Sequence, residues 1–191
     1  MRNWLDNVPS VTETQVIETI MVYLKQSDKQ LTILEIGSYE GRSLKGFLER
    51  LPETTQAVSI DNRTLDPREN PAGHDIKKVV QRFVQNMQPF EHRLNVYDDS
   101  SQKVLPRMTA NKFDFIYVDA SHHPLDVMAD LVLAWRTLKP GGILGLDDYQ
   151  MKRKQDDPGS VFQAANHFMS YYADEIEVLH NGYRLFVKKK E

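Results

Sequence analysis

Short apolar runs alternate along this chain with stretches where apolar residues recur every three or four positions. The runs Leu31 to Ile36, Ala57 to Ile60, Arg93 to Tyr97, Phe113 to Val118 and Ile143 to Leu146 read as buried strands. Helical spacing connects Ile17, Ile20, Met21 and Leu24, behind a capping box of Ser10 and Glu13. It recurs in Leu44, Phe47, Leu48 and Leu51, which Pro52 ends, and in Ile76, Val79, Val80, Phe83, Val84 and Met87, which Pro89 ends. A short helix is read from Gln102 to Met108. Pro124 opens another that carries Leu125, Met128, Leu131, Val132 and Trp135. The segment LKPGG reads as a turn, and Pro158 to Tyr172 as a last helix with Val161, Ala165, Phe168 and Met169 inward. Two strand runs about Asn181-Gly182 close the chain as a hairpin. Met1 to Pro9 is an irregular lead-in, and Met151 to Asp157 a polar loop. Asn62 to Asp75 is long, polar and aperiodic, and reads either as a lid or substrate wall or as a passive insertion. This alternation predicts an α/β fold with a mostly parallel sheet and one antiparallel strand. The whole chain, 1–191, is read as one domain, with residues 1–30 as a helical extension.

The stretch LTILEIGSYEGRS carries the first chemical signal. Gly37 and Gly41 allow a sharp strand-to-helix turn with room for a ligand against the backbone. A dinucleotide site wants GxGxxG, so that a pyrophosphate lies on the helix start. Here Tyr39 replaces the middle glycine, and Glu40 would repel a phosphate. Glu35, an acid at the end of a buried strand, is equally out of place there. S-adenosylmethionine (SAM) has no phosphate and carries two cationic groups, so acidic neighbours favour it. The alternative is an ordinary glycine turn. Asp61 ends the next strand, 24 residues after Gly37 (61 minus 37). Its two oxygens match a ribose diol, which SAM and NAD share, so it supports a nucleoside without choosing between them. It could equally cap a helix.

Composition narrows the partners. Hydrophobic residues make up 40% of the 191 and charged residues 27%, as in ordinary globular chains. A net charge of -3 gives no electrostatic footprint for nucleic acid. There is no cysteine, so no thiolate nucleophile, disulfide or Cys-ligated metal. No apolar run has membrane-spanning length, and the first residues lack a signal-peptide core. The expectation is a cytoplasmic protein with a small-molecule partner, without nucleic acid or membrane. A homo-oligomer is compatible with it.

Acid-x-Gly-x-x-x-Gly, as EIGSYEG, resembles motif I of class I SAM-dependent methyltransferases. FDFIYVDASHH and LKPGGILGLDD resemble the family's later motifs, over roughly Leu31 to Lys188. The combination VDASH, KPGG and DD is similar to a small subgroup with D-G-S-H after strand four, including macrocin-type sugar O-methyltransferases. Ala120 stands where that subgroup has glycine. The resemblance implies a Rossmann-like seven-stranded sheet in the order 3-2-1-4-5-7-6, with helices on both faces and a C-terminal antiparallel hairpin. It implies cofactor contacts from Glu35, Gly37, Ser38, Gly41, Asp61 and Asp119, and an adenine site at Asp99 and Ser100. Ser100 could also cap the following helix. Asp119, Asp147 and Asp148 match the metal ligands of catechol-type O-methyltransferases and imply Mg²⁺, a hard ion suited to oxygen donors. The alternative is that Asp147 and Asp148 cap a loop and Asp119 serves the cofactor alone. His122, with Asp119 beside the reacting group, is the candidate base, because an imidazole titrates near neutrality. His123 is its rival. The implied activity is O-methylation of a small hydroxylated metabolite such as a sugar or glycosylated natural product. The rivals are a nucleotide-dependent oxidoreductase and a non-catalytic SAM-binding subunit.

Overall fold

Alternate side chains of a strand point to opposite faces of its sheet, so a central strand needs cover on both sides. In β1 (Thr32–Ile36), Ile33 joins one apolar cluster while Leu34 and Ile36 join the other. The computed structural model describes residues 13–25, 30–64, 73, 75–151 and 161–191, with side chains from Ile17 onward. Helices α1 (Glu13–Lys25), α2 (Arg42–Arg50) and α3 (Ile76–Met87) cover the first face, through Ile20, Leu44, Phe47 and Phe83. Helices α5 (Pro124–Thr137) and α6 (Val161–Tyr171) cover the second, through Val127, Leu131, Ala164 and Phe168. The short α4 (Ser101–Val104) is hooked to α5 by the Ser101 hydroxyl, which donates to buried Asp130.

The sheet is completed by β2 (Gln56–Ile60), β3 (Leu94–Tyr97), β4 (Phe113–Val118), β5 (Leu138–Leu146), β6 (Ile176–Asn181) and β7 (Leu185–Lys189). Its order is β3-β2-β1-β4-β5-β7-β6, as the family resemblance implied. β7 lies antiparallel between β5 and β6, and the other neighbouring pairs are parallel. The hairpin turns after Asn181, and β3 begins after a 3-10 segment, Gln88–Arg93.

One element differs from the sequence reading. LKPGG is not a turn outside the sheet but the first half of β5. Phe113 pairs with Leu138 and Phe115 with Ile143, so β4 advances two residues (113 to 115) while β5 advances five (138 to 143). The surplus is a bulge, made feasible by Gly141 at φ 77°. The helix after the glycine turn begins at Arg42, and the helix read from Gln102 to Met108 is α4 followed by a 3-10 turn, Leu105–Arg107. Ser10, the capping partner of Glu13, and most of the two polar loops lie outside the described residues.

Gly145 of β5 lies between Tyr117 of β4 and Phe186 of β7, its register partners. Those two rings stack at 6.3 Å between centroids, inclined by 28°. A methyl on Gly145 would sit 2.6 Å from Phe186 and 2.8 Å from Tyr117. Both rings are fully buried and cannot swing aside. Gly145→Ala is expected to destabilise the chain by about 1–3 kcal/mol, the range for an overpacked core. Denaturant unfolding of the two proteins measures it.

Candidate active site

The carboxyl edge of the sheet is held in line by main-chain hydrogen bonds between neighbouring strands. The first amide after one strand donates to the last carbonyl of the next. Asp61 donates to Tyr97 O at 3.1 Å, Gly37 to Ile60 O at 2.8 Å, Asp119 to Ile36 O at 2.8 Å and Asp147 to Val118 O at 2.9 Å. Four predicted site residues therefore stand in a row across β2, β1, β4 and β5. Gly37 is fixed there for two reasons. Its φ is +86°, and a Cβ would fall 2.1 Å from the Asp119 carbonyl oxygen. Gly41, also left-handed, packs on Phe83 and Met87 rather than opening toward a ligand.

At the β2 end, Asp61 is held by two amides. Tyr39 N donates to Oδ2 at 2.7 Å and Arg63 N to Oδ1 at 2.8 Å. Each oxygen keeps a second lone pair, so the carboxylate can still accept a vicinal diol. Tyr39 N is taken by Asp61, and Gly41 N donates to Ser38 O within the turn at 2.6 Å. A pyrophosphate would lose both donors. Glu40, by contrast, is paired with Arg82, so its charge is not the obstacle the sequence suggested. Ser38 and Ser59 hydroxyls meet at 2.7 Å.

Asp99 and Ser100 stand at the start of α4, the capping place the sequence reading allowed for Ser100. Asp99 accepts from Ser100 N at 2.8 Å and from Lys103 at 3.0 Å, and these contacts draw its carboxyl below the ordinary range. Ser100 occupies the cap position of α4 and its carbonyl receives Lys103 N and Val104 N. The acid of DDSS that joins the Asp61 cluster is Asp98, through Arg63.

At the β4 and β5 ends, Glu35, Asp119, Asp147 and Asp148 converge. Burial pushes Glu35 up to about 8, against a hydrogen bond from Ser38, and Asp119 and Asp61 push it further. Glu35 Oε2 is buried without a hydrogen-bond partner among the described residues. Burial, then Asp147 and Asp148, raises Asp119 to about 7, partly offset by His122 and Arg184. His122 Nε2 lies 2.7 Å from Asp148 Oδ2, and Tyr183 Oη donates to Asp148 Oδ1. Burial opposes ionisation of Asp148, but these two bonds outweigh it and hold its carboxyl below the ordinary range. Asp148 itself is left-handed, at φ 54°. His123 instead occupies the cap position of α5, with its amide on Ser121 Oγ at 3.0 Å. Of the two candidate bases, His122 is the one inside the cluster.

Tyr117, Tyr183 and Arg184 escaped the sequence reading. Tyr117 Oη donates to Asp147 Oδ2 at 2.8 Å, and Arg184 Nε donates to Tyr117 Oη at 2.6 Å. Arg184 Nε also stands 2.9 Å from Asp147 Oδ1, and Nη2 donates to Oδ2 at 3.1 Å. The available signal was topological: β7 beside β5 pairs Leu185 with Leu146, which puts the hairpin turn next to Asp147 and Asp148.

These contacts decide how the acids suit a metal. Their oxygens are the donors Mg²⁺ prefers. Among the described residues, however, no group of three or more acids and histidines could hold a metal ion. Arg184 already occupies Asp147, and His122 and Tyr183 occupy Asp148. The expected Asp119, Asp147 and Asp148 metal site does not fit as the side chains stand, because Arg184, His122 and Tyr183 already occupy the oxygens of Asp147 and Asp148.

An acid cluster beside a glycine turn, with a diol-matching carboxylate at the next strand, suits a cationic nucleoside. The comparisons agree with that class. A family described as a methyltransferase domain matches residues 34–149, and the chain belongs to it. The fold is that of class I SAM-dependent methyltransferases. An O-methyltransferase from Streptomyces achromogenes, TomG of tomaymycin synthesis, solved with SAM, superposes with a TM-score of 0.67 at 16% identity over 98% of this chain and 85% of its own. A Bacillus cereus O-methyltransferase solved with S-adenosylhomocysteine (SAH) gives 0.63 at 18% identity, over 98% and 87%. An uncharacterized protein of Acanthamoeba polyphaga mimivirus is 25% identical over 136 residues, 71% of this chain and 58% of the relative's length. No helix among the described residues is long and apolar enough to cross a membrane.

The raised acids give a signed pH dependence. Glu35 binds its proton more tightly folded than unfolded, where its value is near 4.5, and the folded value is about 8. Its contribution to stability is therefore largest at low pH and falls as pH rises through that window. Glu35→Gln keeps the shape without the charge. It is expected to stabilise the ligand-free chain relative to the parent more at pH 8 than at pH 5, measured by denaturant unfolding at both. An equal effect at the two pH values would mean that Glu35 does not titrate between them.

Proposed function

We propose that this chain transfers the methyl group of SAM to a hydroxyl of a small metabolite, such as a sugar or a glycosylated natural product. The observation that carries the reading is the His122–Asp148 pair at 2.7 Å, standing beside Asp119 in the row that also holds Gly37 and Asp61. SAM supplies an electrophilic methyl on its sulfonium. Asp61 serves the ribose, and Glu35 and Asp119 give the cationic end an acidic surrounding.

Transfer of a methyl from sulfur is an in-line displacement, which the protein promotes by alignment. An alcohol must also lose a proton. Asp148 orients the His122 ring, as a third group orients a base in other enzymes. His122 Nδ1 is buried, so the ring acts as base in its neutral Nδ1–H tautomer, in which the hydroxyl replaces Asp148 at Nε2 and passes its proton to that lone pair. Asp119, near neutrality in its own titration, is the second group placed to take it. Arg184 balances Asp147, His122 becomes a cation beside Asp148 only once it holds the proton, and no step is routed through a metal.

Calorimetry tests the cofactor: SAM and SAH should bind, and NAD should not. Asp61→Ala should weaken both by an amount set by the lost ribose contacts, roughly 1.5–3 kcal/mol for each charge-assisted hydrogen bond. NAD binding without SAM would restore the oxidoreductase reading.

SAM consumption over a panel of hydroxylated acceptors tests the chemistry. His122→Ala should cut kcat by roughly 10²–10⁴-fold if the ring is the base. Turnover should survive excess chelator. Loss on chelation with recovery in Mg²⁺ would show that the ion pairs open for a cation, as the sequence resemblance implied. A chain that binds SAM and turns over no acceptor would favour the non-catalytic subunit.

A further inference from the structure

Arg63 lies two residues beyond the ribose acid, in a segment with no periodicity. Its backbone is left-handed, at φ 53°, which is costly for a long side chain. Its side chain is only 11% exposed. The guanidinium lies 3.9 Å from the centre of the Phe83 ring of α3. Nε donates to Asp98 Oδ1 at 2.8 Å, beyond the end of β3. Nη1 donates to Tyr39 O in the glycine turn at 3.2 Å and stands 3.6 Å from Asp61 Oδ2. The main-chain amide donates to Asp61 Oδ1. Nη2 is buried and has no hydrogen-bond partner among the described residues.

One residue thus ties the ends of β2 and β3 to the turn after β1 and to α3. It does so with a strained backbone and with a buried Nη2 that donates to no described residue. A merely solvated arginine would have no reason to accept either. The contacts centre on Asp61, which receives one hydrogen bond from Arg63 itself and one from Tyr39, whose carbonyl Arg63 also holds. We propose that Arg63 is a positioning residue for the nucleoside of the cofactor. It fixes the plane of the Asp61 carboxylate and balances its charge, so that the remaining lone pairs meet the ribose diol without rearrangement. Because Nη2 is sealed inside the protein, Arg63 acts through Asp61 rather than by touching the ligand. This rests on the SAM reading above.

Calorimetric titration of SAH and SAM into five proteins tests it: the parent, Arg63→Met, Arg63→Lys, Asp61→Asn and the Arg63→Met/Asp61→Asn double variant. Methionine keeps an unbranched apolar stem on Phe83 and removes every polar contact of the side chain. Arg63→Met should weaken both ligands by about tenfold, since they share the nucleoside and the loss is of the order of one charge-assisted hydrogen bond. In the Asp61→Asn background the same change should cost less than about twofold, the non-additivity of residues acting as a unit. Arg63→Lys should recover part of the loss, because it restores the charge but not the fork that spans Asp98 and Tyr39. A general loss of fold would instead weaken binding equally in both backgrounds. Unchanged or tighter SAH binding by Arg63→Met overturns the proposal, as does full additivity. A parent chain that binds neither SAM nor SAH overturns the cofactor reading and this proposal together. Normal parent binding with an inert Arg63→Met overturns the proposal alone.

Discussion

The site depends on the row of main-chain hydrogen bonds that aligns the carboxyl ends of β2, β1, β4 and β5. Parallel pairing sets each strand's last carbonyl against the first amide of its neighbour's loop. Asp61, Asp119 and Asp147 each follow a strand directly, so the ladder that builds the sheet also brings them into line. Gly37 is part of that constraint. Its missing Cβ lets β1 turn away directly against the Asp119 carbonyl. Ligands of open α/β sheets bind outside this edge, and here the edge is lined with carboxylates.

Crowding acids at a partly buried edge has an electrostatic cost, and the chain offsets it in two ways. Glu35 and Asp119 shift toward their neutral forms. Asp147 and Asp148 stay paired, the first with Arg184 and Tyr117, the second with His122 and Tyr183. Two of those four partners come from the turn between β6 and β7, so the antiparallel hairpin contributes to the site as well as closing the sheet. A cationic ligand entering beside Glu35 and Asp119 would favour their charged forms. A cation bound there would release protons through the same forces that raise the two acids.

Much of the fold was legible because its signals are local. Apolar runs of strand length, helical spacing between them and prolines at helix ends mark the elements without any long-range information. The bulge in β5 was not legible. KPGG carries the residues of a turn, and only its pairing with β4 shows that the sheet continues through it. The acids after the strands were likewise readable, because a carboxylate at the end of a buried strand has few structural uses. Their partners were not. Arg63, Tyr183 and Arg184 sit in ordinary polar turns, and nothing in their neighbours marks them.

The sequence by itself determined the order of strands and helices, the glycine turn and the positions of the acids, because backbone sterics and burial act over a few residues. The tertiary structure decided which charges meet. It paired Asp99 with Lys103, and Asp98 with Arg63 beside Asp61. It brought His122, and not His123, within hydrogen-bonding distance of Asp148. It set Arg184 on Asp147, 37 positions away along the chain, where the sequence pattern alone had suggested a metal ion. Coulombic and hydrogen-bonding partners are fixed by distances in space. Such distances across a sheet follow strand order and register, which no local pattern encodes.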